Sequence, residues 1–122
     1  MKPAEARLPV SRLVELFELD EASGTITWKT RPVEHFASIA SWKSWNIRFA
    51  GKRAGSVMGR GYRQVAINAC LHKEHRVIFA LHHGRWPEQV IDHINHVRND
   101  NRPINLRDVS HAENSRNRKP KA

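Results

Sequence analysis

The sequence predicts an α+β fold: helices and a small antiparallel sheet region, then a strand–loop–strand–helix unit near the carboxy-terminal end. Three observations carry this expectation. Apolar residues recur at helical spacing in residues 9–19 and 76–83. Short alternating runs bounded by Gly, Asn and Asp lie between those stretches. Two further apolar runs, 90–95 and 104–108, frame a polar stretch and precede Ser110-His111-Ala112-Glu113, which reads as a capping box.

The elements follow in order. Val10, Leu13, Val14, Leu16 and Phe17 place a helix over residues 9–19, with Ser11 near its start. Asp20-Glu21-Ala22-Ser23-Gly24 reads as a turn and Thr25-Ile26-Thr27-Trp28-Lys29 as a strand. Residues 31–50 show no clean period. Their bulk comes from Phe36, Trp42, Trp45 and Phe49 beside Lys43 and Arg48, and they read as an irregular segment anchored by its aromatics, with a basic-aromatic nucleic-acid surface as the sharper alternative.

Residues 54–57 and 62–67 flank Gly59-Arg60-Gly61 as an antiparallel pair. In the second strand Tyr62, Gln64 and Ala66 share one face, and Arg63, Val65 and Ile67 the other. The helix at 76–83 stops at Gly84, and Pro87 prevents its continuation. Asp92-His93 lies within the next strand, residues 90–95, His96 to Pro103 suits a long hairpin connection, and the last helix is expected from Ser110 to about Arg118.

At 122 residues the chain suits one compact domain. Within it, residues 1–50 form an amino-terminal helix, strand and aromatic segment, and 51–89 a hairpin with a core helix. Residues 90–119 form the terminal unit, and 120–122 a tail. Hydrophobic content of 39% and charged content of 27% argue against wholesale disorder. No apolar run approaches the ~18 residues that span a bilayer, and residues 1–7 lack a signal peptide's apolar stretch. A cytoplasmic protein with no membrane partner is the expectation.

Lys and Arg total 21 against 12 Asp and Glu, a net charge of +9. That excess favours polyanions, because neutralised phosphates release condensed counterions. A lone cysteine, Cys70, excludes an internal disulfide and any zinc site on paired cysteines, and is expected as a small packing residue. No structural zinc is expected.

Asp92-His93, Asn105 and Asn114, twelve and nine residues apart counted from His93, resemble the HNH nuclease signature in its H-N-N form. The surrounding residues, Ile91-Asp92-His93-Ile94-Asn95, Asp100-Asn101-Arg102 and Asn105-Leu106-Arg107, are similar to phage- and intron-encoded HNH homing endonucleases. More loosely, so are Gly24 to Lys29, Gly61 to Val65, His75-Arg76 and Gly84-Arg85-Trp86-Pro87. The resemblance implies a ββα-metal fold and a metal-dependent endonuclease acting on double-stranded DNA, in the host cytoplasm if phage-encoded. His96 departs from it, standing where the family usually has a small residue.

The chemistry asks for the same residue types. A neutral imidazole can take a proton from water near pH 7, which suits His93 as general base. One hard divalent cation, Mg²⁺ first and Mn²⁺ second, prefers oxygen ligands and few protein groups, so Asp92 and Asn114 make a minimal pair. The resemblance gives Asn105 a different role, in which it bonds backbone across the loop and so holds the base. Arg107 and Arg116 are expected at the phosphates flanking the cleaved bond, with Arg98, Arg102, Arg63 and Arg118 extending the DNA footprint. His72 and His75 could also reach a phosphate, although His75 is expected to order the start of the helix at Arg76. Sequence preference is expected from the region before residue 75, from a homodimer or from a partner protein. The rival readings are a catalytically inactive DNA-binding module of the same fold and, last, an RNA-binding basic protein.

Overall fold

The structure, a computed structural model, describes residues 1–116, apart from the side chains of His111 and Arg116. In order, the helices are α1 (Pro3–Ala6), α2 (Val10–Leu16), α3 (Ile39–Phe49), α4 (Glu74–His83) and α5 (His111–Arg116). The strands are β1 (Phe17–Asp20), β2 (Thr25–Trp28), β3 (Ser56–Val57), β4 (Arg63–Ile67), β5 (Cys70–Lys73), β6 (Val90–His93) and β7 (Leu106–Val109). They form three small antiparallel sheets, β1–β2, β3–β4–β5 and β6–β7. The fold is the expected α+β arrangement, and its last three elements run β6, β7, α5.

Helix α4 is the hub. Its residues from Glu74 to Ala80 are all buried, and α2, β1, β4, β5 and the turn before β7 pack against it. Leu13, Leu16, Ile26, Val77 and Ile78 are fully enclosed, and Phe17, Trp28, Val65, Ile67, Phe79, Ile91 and Leu106 complete one apolar cluster. Burial of such side chains contributes about 1.5–3 kcal/mol each. Gly84, in the left-handed conformation at φ 75°, ends α4 as expected.

Polar groups tie α4 to the amino-terminal segment and to the approach to β6. In its first turn Arg76 donates from Nε to Glu5 Oε2 (2.6 Å) and from Nη2 to Glu5 Oε1 (2.9 Å). Its Nη1 reaches Gln89 O (2.8 Å), just before β6. Burial would raise the Glu5 carboxyl, but the bonds from Arg76 and the Lys2 amide hold it below its usual value.

Several expectations are corrected. The helix expected over residues 9–19 ends at Leu16, because Phe17–Asp20 pairs with Thr25–Trp28 across the Asp20–Gly24 turn. Tertiary pairing overrides the helical spacing there. Residues 39–49, expected to be irregular, are a helix whose N-cap Ser38 accepts from the Ser41 amide at 3.1 Å. Trp42, Trp45, Asn46 and Phe49 share its inner face, with Trp45 edge-on to Trp28 at 5.1 Å. The aromatics anchor this segment to the core, as expected of them.

Cys70, expected as a packing residue, is exposed on β5. The last pair of strands is shorter than expected: β6 stops at His93, and Ile104 and Asn105 belong to a 3-10 turn before β7. The expected end of α5 near Arg118 lies outside the described residues.

Candidate active site

The hairpin β6–β7 sets the register of the site. Asp92 faces Arg107 and His93 faces Leu106 across the ladder, and α5, which carries Asn114, lies against β6. Asp92 and His93 are the last two residues of β6, and both are buried.

His93 is held on three sides. Its Nε2 lies 2.8 Å from Asn101 Oδ1. The ring of His75 stands edge-on to it at 5.0 Å, and Tyr62 lies at 6.0 Å. Burial pulls the His93 imidazole below its ordinary value, opposed by the Asn101 bond and the Asp92 and Asp100 charges. His75 is pushed down to about 2, mainly by burial and secondarily by His93, so it stays neutral. Its Nδ1 and the Asn101 Nδ2 find no hydrogen-bond partner among the described residues, at a cost of about 1–3 kcal/mol for each such group.

The loop between the strands is organised by Asn105. Its Oδ1 accepts from the Asn95 amide (3.0 Å), and its Nδ2 donates to Asn95 Oδ1 (2.9 Å) and Asp100 O (2.8 Å). Asp100 in turn accepts from Arg102 Nε and Nη2, each at 2.8 Å, and from Asn95 Nδ2 at 2.7 Å. Those bonds, Arg102 foremost, hold the Asp100 carboxyl down at about 2. At the turn out of β6, His96 adopts φ 65°. Glycine suits that left-handed position, where the Cβ of His96 is strained.

The expected cations fall into different settings. Arg107 donates from Nη2 to Asp92 Oδ2 at 2.8 Å and keeps its side chain 45% exposed. It can meet a phosphate only by sharing or leaving that pair. Arg98 is exposed, bonds Arg60 O at 2.9 Å and lies over the Tyr62 ring at 5.1 Å. Arg102 is engaged by Asp100 but still half-exposed.

Arg63 is a correction. It turns inward to Glu74 (2.7 Å) and Ala54 O (3.3 Å), so it is a buried ion pair and not part of an outer footprint. Burial still pushes the Glu74 carboxyl up despite Arg63. His72 and His75 are also withdrawn from any phosphate, since both are buried, His72 against Trp86. The side chain of Arg116 and all of Arg118 lie outside the described residues.

Asp92 and Asn114 offer hard oxygen donors. Among the described residues no three His, Cys, Asp or Glu converge as a metal cage.

The sequence alone assigns no site role to Asn101 or Tyr62, although each stands in a motif. Nothing in a polar loop's composition says which amide turns inward. No curated protein and no solved structure matches the chain. A family model described as HNH endonuclease matches residues 72–116, the span from β5 through α5. Over that span, which is under half of the chain, the sequence is similar to the HNH endonuclease family.

Proposed function

We propose that the protein is a metal-dependent endonuclease hydrolysing phosphodiester bonds in double-stranded DNA, of the phage-type homing subtype, acting in the host cytoplasm. The supporting observation is His93: a buried imidazole with one nitrogen engaged by Asn101, at the strand end beside Asp92. With Nε2 engaged, Nδ1 is the nitrogen left to accept a proton from water. The water oxygen forms the new bond to phosphorus, its proton goes to His93, and the bond from phosphorus to the 3′-oxygen breaks. The leaving oxygen is protonated from solvent.

Asp92 and Asn114 would hold one divalent cation, Mg²⁺ first. When bound, it supplies charge stabilisation to the phosphate and the leaving oxygen. Asn105 braces the loop that positions the base. Arg107 and Arg116 are assigned to flanking phosphates, Arg98, Arg102 and Arg118 to the outer footprint, and a second copy or a partner protein to specificity.

The charge distribution favours a nucleic-acid substrate, and the HNH likeness points to duplex DNA among them. From His35 to Lys73 the chain has no Asp or Glu. Lys43, Arg48, Lys52, Arg53 and Arg60 along it are exposed.

Supercoiled-plasmid conversion in Mg²⁺, Mn²⁺ or EDTA tests this reading. Open-circle or linear product that needs metal is expected. Salt-sensitive binding without cleavage, on cognate genomic DNA as well as plasmid, would replace it with the inactive binding module.

A further inference from the structure

The amino-terminal hairpin reaches the active site through one glycine. Gly24, at φ 68° in the turn between β1 and β2, is buried against the backbone of the loop between β6 and β7. A Cβ at this position would lie 2.2 Å from Arg102 N and 2.4 Å from Asn101 C. These are backbone atoms that cannot swing aside. The turn is itself braced, with Asp20 Oδ1 accepting from the Ala22 amide at 3.1 Å and the Gly24 amide donating to Asp20 O at 2.8 Å.

Asn101 stands between this turn and His93. It is 1% exposed, its Oδ1 meets His93 Nε2, and its Nδ2 has no partner among the described residues. A residue kept only for packing would be apolar here, since a buried amide with an unused donor is unfavourable. One atom explains its presence. An accepting Oδ1 requires hydrogen on Nε2 and leaves the Nδ1 lone pair for chemistry.

We propose that Asn101 is a positioning residue that fixes the tautomer and orientation of His93, and that the Gly24 turn of the β1–β2 hairpin holds Asn101 in place. The inference rests on reading His93 as the general base. It makes a hairpin outside residues 72–116 part of the catalytic apparatus, where packing alone would make it only a neighbour.

The test is ring ¹⁵N spectroscopy of the full chain without metal, at a pH where histidines are neutral, paired with kcat and KM on duplex DNA in Mg²⁺. Wild-type His93 is expected as one tautomer, with hydrogen on Nε2. Asn101→Leu keeps the branched heavy-atom shape, at somewhat larger volume, and loses the acceptor. It should move both ring shifts toward those of free imidazole and lower kcat by about 10–100-fold, with KM nearly unchanged. Asn101→Asp keeps an acceptor oxygen and should retain the tautomer and most of kcat.

Gly24→Ala should follow Asn101→Leu. Should it fail to fold, Asp20→Ala, which loosens the turn without a collision, should shift His93 the same way by less. Hydrogen on Nδ1 in the wild type, or Asn101→Leu with wild-type shifts and kcat, would overturn the role of Asn101. Unmoved His93 shifts and kcat in both hairpin variants would overturn the role of the turn. The ring shifts are readable even if the protein cuts no DNA, so failure of the nuclease reading is told apart from failure of this one.

Discussion

The amino-terminal elements and the loop between β6 and β7 are built on opposite rules. In the first, α2 and the β1–β2 hairpin supply the core: Leu13, Leu16 and Ile26 are fully buried, and Trp28 lies against Phe17 and Trp45, although single apolar side chains such as Val14 and Ile47 face solvent. In the loop, apolar side chains go out and polar ones in. Ile104 is 80% exposed, with Ile94 and Val97 also exposed, while Asn101 and Asn105 are buried. A segment that inverts the hydrophobic rule is not arranged for stability. It is arranged to hold amides and an imidazole at fixed places, and the core behind it offsets the cost.

Paired substitutions would break that contrast most sharply. Leu13→Ala should cost about 2–5 kcal/mol by chemical denaturation and leave kcat per folded molecule unchanged. Asn105→Leu should cost less, about 1–3 kcal/mol for the backbone groups it strands. Its kcat should nevertheless fall by about 10–100-fold. Equal effects on stability and rate in both variants would erase the distinction.

Acid should find the buried histidines first. The pKa of His75 is lowered to about 2, and those of His93 and His72 are lowered too, mainly by burial. Between the folded and unfolded values the unfolded chain binds more protons, so stability is full above about pH 6.5 and falls as pH drops. His75 alone should cost about 2 kcal/mol between pH 7 and pH 5. Denaturant midpoints at those two values would show it, and His75→Phe should flatten the dependence. The carboxylates with lowered values, Glu5, Asp100 and Asp108, act only at lower pH.

The smallest expected effect is a gain. His96→Gly removes the left-handed strain at φ 65° and should raise stability by about 0.5–1 kcal/mol, seen as a higher Tm. An unchanged or lower Tm would mean that the His96 side chain contributes something its backbone conceals.

How much the sequence reveals differs by region in the same way. The capping box at Ser110, the stop at Gly84 and the Asp92-His93 strand are legible because each rests on local chemistry. Helix α3 is not. Asn46 occupies its inner face, bonding Arg31 N and O, while Ile39 and Ile47 point outward, which blurs the period. Arg63 misleads as a cation, although the alternation already groups it with buried Val65 and Ile67. Asn101 stands in a motif, but nothing local marks its role, since its contacts with His93 and the Gly24 turn exist only once the loop has folded.

The most direct test of the central claim is single-turnover cleavage of an end-labelled duplex by wild type and His93→Ala, with Mg²⁺ and with EDTA. The account predicts cleavage only by wild type with metal, and a loss of about 10²–10⁴-fold in the variant at unchanged DNA affinity. Equal rates in the two proteins, or cleavage that persists in EDTA, would contradict it.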